Sequence, residues 1–463
     1  MTAFEAGADA GGAVRITDTD AAGRGVGRTA DGLVVFVPGL IPGDLALITV
    51  ERRRKRFAAA SVKRLVEPSR DRALPLCPQF GCCGGCSLQN MRYAAQARLK
   101  ERQTREKLLR IGGVRDPLIR PVVTMDDPWH YRNKARYATD GANVGFYAAG
   151  SRAVVDAPDC PIQAPPANAL AGVLRRFVAF RRQAGAGDFV RGLTVRTAFG
   201  TGEVMASLSV CGARARSCGA ERLFPAMDAA LSALPRAKNG PPYRLKSLVV
   251  ESDAESGAVF VAAGRGAITE RLWDLRFELS PRSFFQVNPA GARALGDLVA
   301  AYAAPRRTET IFDLYCGAGA LGLRCARAAG RVVGVESAAS AVADARRNAA
   351  RNGIKNADFI CGPVERALPA LLAREKPQTV ILDPPRAGCR AELLAAVAVA
   401  APARIVCVSC DPATLARDVK CLAAAGYAFA EATPVDMFPH TTHVETAALL
   451  CRANARGECA GPR

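Results

Sequence analysis

A cysteine and a glutamate late in the chain have the chemistry of a nucleophile and a base. Cys410 follows the apolar run 405–408, which predicts a buried strand. A thiolate there could add to carbon 6 of uracil and make carbon 5 nucleophilic enough to accept a methyl group. Glu445 is the candidate base for removing the carbon-5 proton. The alternative is that Cys410, like most of the 16 cysteines, is buried and inert.

A glycine loop and strand-end acids predict where a methyl donor would bind. Residues 316–319, Cys-Gly-Ala-Gly, follow a predicted strand at 310–314, and Glu336 ends the next strand. Such an acid can accept hydrogen bonds from ribose hydroxyls. The further acid Asp313 disfavours a pyrophosphate, so S-adenosylmethionine is predicted rather than NAD. Asp383, after the strand 380–382, would face the cofactor or the base. The alternative is a tight turn without a ligand.

Three closely spaced cysteines indicate a metal site. Cys77, Cys83 and Cys86 stand in a loop-like segment, and two glycines separate the last two. Cys160 is the best-placed fourth ligand. Four thiolates suit an iron–sulfur cluster or zinc, and spacing alone does not separate these. Unliganded loop cysteines are the alternative.

Two of the three histidines lie close to the candidate base. His440 and His443 precede Glu445, a spacing that admits zinc. Packing of the site, or contact with a phosphate, is the favoured interpretation.

The elements that must position these residues predict an α/β protein with three domains. Short apolar runs with Gly and Pro turns over 14–68 predict a small β-barrel. Residues 69–275 predict a mixed α+β domain that carries the cysteines, and 276–455 predict a doubly wound, Rossmann-like α/β domain. The first fifteen or so residues are predicted to be a loose leader.

Two basic segments could contact a phosphate backbone. The run 52–56, Arg-Arg-Arg-Lys-Arg, is predicted to follow the second barrel strand, Leu45–Val50. A helix over 97–112 carries six further basic residues. A basic barrel edge can track a phosphate backbone, although a lone charge run is more often a solvated turn.

Composition narrows the class of partner. The 463 residues carry 63 Lys plus Arg against 43 Asp plus Glu, a net charge of +20 that suits a polyanion such as nucleic acid. The apolar run 393–401 is too short to span a bilayer, and residues 1–20 contain no apolar signal segment. A cytoplasmic monomer without a membrane partner is expected.

Taken together, the motifs resemble those of the bacterial RNA uracil-C5 methyltransferases. The segment Cys77–Cys86 resembles their cluster motif, and residues 23–68 resemble the TRAM barrel that precedes it in many members. The further matching segments, in chain order, are Phe285–Asn288, Asp383–Gly388, Ser409–Asp418 and Asp436–Glu445. Two departures are Asp411 in place of the commoner Asn, and the absence of an acid or amide directly after the third strand, before Glu365.

This resemblance implies roles for individual residues. Cys410 is the nucleophile and Glu445 the base. The residues implied to bind S-adenosylmethionine are Gln286, Tyr315, Glu336 and Asp383. Those implied to hold a [4Fe-4S] cluster are Cys77, Cys83, Cys86 and Cys160. TRAM plus cluster is typical of the 23S rRNA enzyme of this family. The alternatives are methylation of tRNA and a non-catalytic RNA-binding iron–sulfur protein.

Overall fold

The computed structural model describes residues 12–184, 190–211, 219–236, 240–252 and 258–453. The chain divides into two units. The first comprises Met1–Lys100, Phe146–Val155 and Phe438–His443, and the second comprises Glu101–Gly145, Asp156–Met437 and Val444–Arg463. Of the predicted loose leader, 1–11 lies outside the described residues, and Ala13 already begins the first strand.

In the first unit, five short strands close into the predicted barrel. They are β1 Ala13–Thr19, β2 Gly25–Arg28, β3 Val34–Val37, β4 Leu45–Arg53 and β5 Phe57–Glu67. Their order is β1-β2-β3-β5-β4, and β1 pairs with β4 to complete the ring. Alternate side chains such as Val14, Ile16, Val35 and Val37 fill the interior, as the period of two along a strand requires.

The prediction that the whole basic run 52–56 follows the second barrel strand is wrong. β4 continues to Arg53 because Arg52 and Arg53 still pair with Ala59 and Ala58 of β5. Backbone pairing across the hairpin therefore extends the strand beyond its apolar run. The exposed turn that remains is 54–56.

Helix α1, Tyr93–Arg110, begins four residues before the predicted start. Its first turns belong to the first unit, where Ala95 and Leu99 pack against Ile41, Leu88 and Met91. These small apolar contacts fix the start of the helix, although the sequence around it is strongly basic.

The middle of the chain forms one mixed sheet. Its strands are β6 Lys134–Thr139, β7 Val144–Tyr147, β8 Val154–Asp156, β9 Val190–Thr197, β10 Glu203–Val210, β11 Arg244–Ser252 and β12 Val259–Gly264. Helices α2 Pro165–Gln183 and α3 Phe224–Ser232 pack on this sheet. The Tyr137 hydroxyl donates a hydrogen bond of 2.8 Å to Asn168 of α2. The hairpin β13 Ile268–Leu272 and β14 Leu275–Leu279 follows.

The predicted α/β domain is a second seven-stranded sheet. Its strands are β15 Thr310–Leu314, β16 Arg331–Glu336, β17 Ala357–Cys361, β18 Thr379–Leu382, β19 Arg404–Ser409, β20 Tyr427–Val435 and β21 Glu445–Arg452. Its helices are α4 Pro289–Ala303, α5 Ala320–Ala326, α6 Ala339–Arg351, α7 Val364–Leu372, α8 Ala391–Ala400 and α9 Pro412–Ala424. The prediction of β15 at 310–314 is confirmed, whereas α5 is shorter than the predicted 321–329.

Strand order in this sheet fixes where side chains converge. The order is β17-β16-β15-β18-β19-β21-β20, with the first five strands parallel and β21 antiparallel to β19. The chain leaves β15 for β16 on one side and later returns to β18 on the other. Such a switch point opens a crevice at the carboxyl ends of the strands, where α/β sheets bind ligands.

No helix within the described residues is both long and apolar enough to cross a membrane.

Candidate active site

Strand pairing brings Cys410 and Glu445 together. Ser409, the last residue of β19, pairs with Thr446 of the antiparallel β21. Cys410 follows Ser409 and Glu445 precedes Thr446, so the two occupy the next opposed positions. Opposed residues of antiparallel strands have Cα atoms about 4.5–5.5 Å apart. The predicted nucleophile and base are therefore neighbours at one edge of the sheet.

The charges around this pair act in opposite directions. Burial raises the pKa of the partly exposed Cys410 thiol, and the Glu445 carboxylate raises it further. Burial also raises the pKa of Glu445 to about 8, with the Asp383 charge adding to the effect. Arg386, exposed on the loop after β18, lowers both pKa values. Its guanidinium thus favours the ionised forms of both groups.

Three carboxylates lie at the ends of the adjacent strands β16, β15 and β18. Asp313 is fully buried; its Oδ2 accepts a 2.8 Å hydrogen bond from the Gly322 N–H, and its Oδ1 has no partner among the described residues. Burial raises its pKa to about 7, and the charges of Asp383 and Glu336 raise it further. Burial likewise raises the pKa of Asp383 to about 7. A cationic ligand would relieve this repulsion, so the group suits the sulfonium and ammonium of S-adenosylmethionine.

The glycine loop lies against one of these acids. Gly319 has φ +81°, and a Cβ there would come within 2.9 Å of the Phe359 ring, so no larger residue fits without movement. Glu336 accepts hydrogen bonds from the Gly317 N–H (3.2 Å) and the Ala338 N–H (2.7 Å). An ionised carboxylate has about four acceptor positions. Glu336 therefore holds the loop and keeps acceptor capacity for a ligand hydroxyl.

Tyr315 has an acidic partner that the sequence did not reveal. It follows β15 with φ 65°, and its hydroxyl donates a 3.0 Å hydrogen bond to Glu365 Oε1. Glu365 lies in the first turn of α7. The sequence lacks the acid or amide that is usual in this family directly after the third strand. The helix places Glu365 within reach of Tyr315 instead.

Gln286 lies on a different segment, the loop before α4. The Asn133 side chain donates a 3.0 Å hydrogen bond to the Gln286 carbonyl. Asn288 caps α4 by accepting from the Gly291 N–H, and its side-chain amide also donates to the Met437 carbonyl. These contacts fix the loop backbone. They do not connect the Gln286 side chain to the three carboxylates at the strand ends. The cofactor role of Gln286 therefore stays a prediction.

A clamp connects the loop that carries Arg386 to helix α9. Arg417 donates hydrogen bonds of 3.0 Å to the carbonyls of Ala387 and Cys389, and Asp418 accepts one of 2.9 Å from the Cys389 N–H. Arg417 and Asp418 also form an ion pair of 2.7 Å. Because α9 begins directly after Cys410, the clamp links the two loops of the candidate site. Both residues belong to the sequence motif Ser409–Asp418.

The predicted cluster ligands do not form a metal group in this structure. Cys77, Cys83 and Cys86 belong to the first unit and Cys160 to the second. Hydrogen bonds fold the loop around Phe80, whose N–H donates to the Cys77 carbonyl at 3.1 Å. Among the described residues, no set of three or more His, Cys, Asp or Glu side chains is arranged to hold a metal ion. The geometry therefore gives no support to the cluster.

His440 has a packing role in the first unit. Only 4% of it is exposed, its N–H donates to Gln96 Oε1 at 2.9 Å, and its Nδ1 lies 3.2 Å from Gln96 Nε2. Its carbonyl accepts from the N–H groups of Ser87 and Leu88. These contacts give His440 a structural role in the first unit.

Comparisons with known proteins agree with the fold. A model of the tRNA (uracil-5-)-methyltransferase family matches residues 267–453, and a TRAM domain model matches 13–63. An uncharacterised RNA methyltransferase of Caldanaerobacter subterraneus subsp. tengcongensis is 36% identical over 457 residues, covering 95% of this chain and 97% of the relative. One from Halalkalibacterium halodurans is 35% identical, covering 94% and 96%.

A solved structure matches over a similar length. It is the Pyrococcus abyssi tRNA (uracil-54, C5)-methyltransferase in complex with S-adenosyl-L-homocysteine. The TM-score is 0.70 at 28% identity, and the match covers 94% of this chain and 99% of that one. With relatives above 30% identity over nearly its whole length, this chain belongs to the RNA methyltransferase family described by the tRNA (uracil-5-)-methyltransferase model, and it carries a TRAM domain at its N-terminal end.

Proposed function

We propose that this enzyme transfers a methyl group from S-adenosylmethionine to carbon 5 of a uridine in RNA, with 23S rRNA as the substrate. The observation that carries the proposal is the register of β19 and β21, which sets Cys410 opposite Glu445 beside Asp383 and Arg386. Family membership supports RNA as the substrate and S-adenosylmethionine as the methyl donor. The enzyme would act as a cytoplasmic monomer.

In this mechanism Cys410 is the nucleophile. Its thiolate sulfur bonds to carbon 6 of the uracil, and the electron pair of the carbon 5–carbon 6 double bond moves to form an enolate. Carbon 5 then takes the methyl group. Glu445 removes the carbon-5 proton, and the electrons of that bond restore the double bond and release the sulfur as thiolate. Arg386 favours the thiolate at the start of this sequence.

S-Adenosylmethionine supplies the methyl group when it is bound. Glu336 and Tyr315 lie beside the glycine loop, and Asp383 and the unpartnered Asp313 oxygen provide negative charge for the cationic end. Gln286 completes the predicted set. The target uridine would leave its stack to reach Cys410, as bases do in enzymes that modify them.

The choice of rRNA rests on the sequence resemblance, which pairs a TRAM barrel with cluster-type cysteines. In this proposal the barrel (14–68) binds RNA, the domain at 69–275 carries the cysteines, and 276–455 catalyses methyl transfer. Methylation of tRNA is the alternative. Purified protein should methylate 23S rRNA fragments much faster than tRNA, and mass spectrometry of rRNA from cells lacking the gene should show the loss of one or more 5-methyluridines. Preferential methylation of tRNA would contradict the rRNA assignment.

The catalytic assignments are tested by two substitutions. Cys410→Ala should bind RNA and S-adenosylmethionine yet form no 5-methyluridine, because no sulfur is available to activate carbon 5. Glu445→Gln should accumulate a covalent protein–RNA adduct that survives denaturing electrophoresis, since the carbon-5 proton cannot leave.

Cys407→Ala is the matched control for the first variant, because that thiol is buried within β19 and serves only packing. It should keep methylating. Normal methylation by Cys410→Ala, or rapid product release by Glu445→Gln without an adduct, would refute the covalent mechanism.

We also propose, from the sequence resemblance alone, that Cys77, Cys83, Cys86 and Cys160 hold a [4Fe-4S] cluster. No catalytic step uses it. Protein purified without oxygen should contain iron and acid-labile sulfide, and Cys86→Ser should lose both, whereas the exposed Cys82→Ser should keep them. Iron-free wild-type protein, or equal iron in both variants, would contradict the cluster.

A further inference from the structure

A small cleft in the first unit lies outside the catalytic machinery. It has a volume of about 420 Å³ and is lined by Gly39, Arg72, Ala73, Leu74, Pro75, Phe80 and Asn90. Gly39 lies in the barrel between β3 and β4, and the other residues lie between the barrel and the start of α1 in the chain. The lining combines aliphatic side chains, one aromatic ring, one guanidinium and one carboxamide, which is the composition of a site for a flat, partly apolar ligand.

The polar wall of the cleft is held rigid by buried partners. Arg72 donates from Nε to Asp44 Oδ1 at 2.8 Å and from Nη2 to Asp44 Oδ2 at 2.6 Å, and the Asp44 side chain is fully buried. The Arg72 Nη2 also donates to the Gly39 carbonyl at 3.0 Å. A two-point contact of this kind fixes the plane of the guanidinium. The cleft is therefore formed before any ligand arrives.

Asn90 leaves one acceptor unused in this rigid wall. The residue is 7% exposed, and its Nδ2 donates to the Gly39 carbonyl at 3.1 Å, which fixes the orientation of the amide. Its Oδ1 is buried and has no hydrogen-bond partner among the described residues. A buried acceptor without a donor is costly, so a ligand that brings an N–H group would relieve it.

The remaining side chains at the cleft include exposed apolar groups. Leu74 is 97% exposed and Leu76 61% exposed, on either side of Pro75, and Phe80 contributes its ring. Exposed large aliphatic side chains beside a preformed cleft are a feature of binding surfaces. Arg92, which is exposed and donates to the Arg72 carbonyl, forms no ion pair among the described residues and offers charge for a phosphate next to the cleft.

We propose that this cleft binds one unpaired nucleobase of the RNA substrate, outside the target uridine. The base would stack on Phe80 and the aliphatic wall, and its N–H would donate to Asn90 Oδ1, while Arg92 contacts the adjoining phosphate. RNA is the occupant that agrees with the family of the enzyme and with its net charge of +20. The inference rests on an RNA substrate but not on which atom is methylated.

The test measures base recognition apart from phosphate attraction. The probes are a fluorescein-labelled oligoadenylate, whose amino groups supply the donor, and an abasic ribose-phosphate oligomer of equal length. The full-length protein is saturated with S-adenosylhomocysteine, so the adenine of the probe cannot bind in the methyl-donor site. Neither probe contains uracil, so neither presents the target base to the catalytic pocket. Stacking of a base on an aromatic ring is expected to favour oligoadenylate by about tenfold.

The Phe80→Leu variant keeps apolar volume and removes the ring face, so its preference for oligoadenylate should fall to about unity, and Phe80→Trp should restore it. The control is Phe180→Leu in α2, where the ring is 67% exposed outside the cleft, and it should bind as wild type. Because Phe80 lies between Cys77 and Cys83, a second variant, Leu74→Glu, alters the cleft at a position that folding does not use.

Equal binding of both probes by the wild-type protein, or an unchanged preference in Phe80→Leu and Leu74→Glu, would overturn the proposal. Ultraviolet crosslinking adds an independent measurement, since an adenylate joined to the peptide containing Phe80 is expected and its attachment only elsewhere would contradict the site. Uridine methylation is measured on the same preparations. If the wild-type protein shows no base preference yet methylates uridine normally, only the cleft is refuted. If it prefers oligoadenylate but forms no 5-methyluridine, only the proposed reaction is refuted.

Discussion

At the scale of single residues, Glu445 is buried, although its proposed role as a base requires the ionised carboxylate. Its side chain is 6% exposed, and burial raises the pKa to about 8 from an ordinary value of 4.5. The folded protein therefore holds a proton on Glu445 that the unfolded chain has released at neutral pH. A base in this state becomes ready for proton removal as the pH approaches 8.

This shift predicts how stability depends on pH. Because the folded state binds the proton more tightly, Glu445 makes the free energy of unfolding fall as pH rises from about 4.5 to 8. Glu445→Gln removes that penalty. The variant should gain stability relative to wild type across this window, by more than about 1 kcal/mol at pH 9. Denaturant unfolding at a series of pH values measures the difference.

The exposed Glu392 provides the matched control for this prediction. Glu392→Gln removes a carboxyl that is exposed to water, so the free energy of unfolding should change little. A difference between Glu445→Gln and wild type that does not vary with pH would contradict the raised pKa of Glu445.

At the scale of elements, helix α9 positions the nucleophile through its cap. Asp411 is the N-cap residue, and its side chain accepts a 2.7 Å hydrogen bond from the Ala413 N–H. The Ser409 hydroxyl donates to the Asp411 carbonyl at 3.0 Å and closes the turn around Cys410. Asp and Asn are about equally good N-caps, which explains why Asp stands here in place of the commoner Asn.

Removing this cap should affect both stability and rate. Asp411→Ala should lower the free energy of unfolding by about 1 kcal/mol and slow single-turnover methylation, because the first turn of α9 and the adjacent Cys410 lose their anchor. Asp411→Asn should retain both properties. Chemical denaturation and quenched-flow methylation provide the measurements, and equal behaviour of the Ala and Asn variants would show that the cap is not needed.

At the scale of the whole molecule, the net charge of +20 predicts RNA binding that weakens steeply with salt. The barrel turn Arg54, Lys55 and Arg56 is exposed. Replacing all three with Gln should reduce the slope of log K against log salt by about 2, since each contact with single-stranded RNA contributes about 0.7. Fluorescence anisotropy over a range of salt concentrations measures the slope.

A second triple variant tests whether the effect is local. Arg306→Gln, Arg307→Gln and Lys355→Gln remove the same charge from exposed positions in the second unit. An equal change of slope in both triple variants would mean that the barrel turn makes no particular contact with phosphate.

Elements with a local signal could be predicted from the sequence alone. Short apolar runs separated by Gly and Pro turns predicted the barrel, and the run 310–314 followed by glycines predicted β15 and its loop. The position of Cys410 after a strand also needed no tertiary information, because chain direction alone puts such a residue at the ligand-binding edge of an α/β sheet.

Which side chains meet depends on the folded arrangement of distant segments. The antiparallel β21 inserts beside β19 and sets Glu445 opposite Cys410, while α7 turns Glu365 towards Tyr315. Pairing with β5 extends β4 through Arg53, and the sheet packs Asp313 away from water with one oxygen that has no partner in the described part of the chain. These outcomes depend on strand order and burial, which arise from contacts between distant segments and leave no periodic signal in the chain.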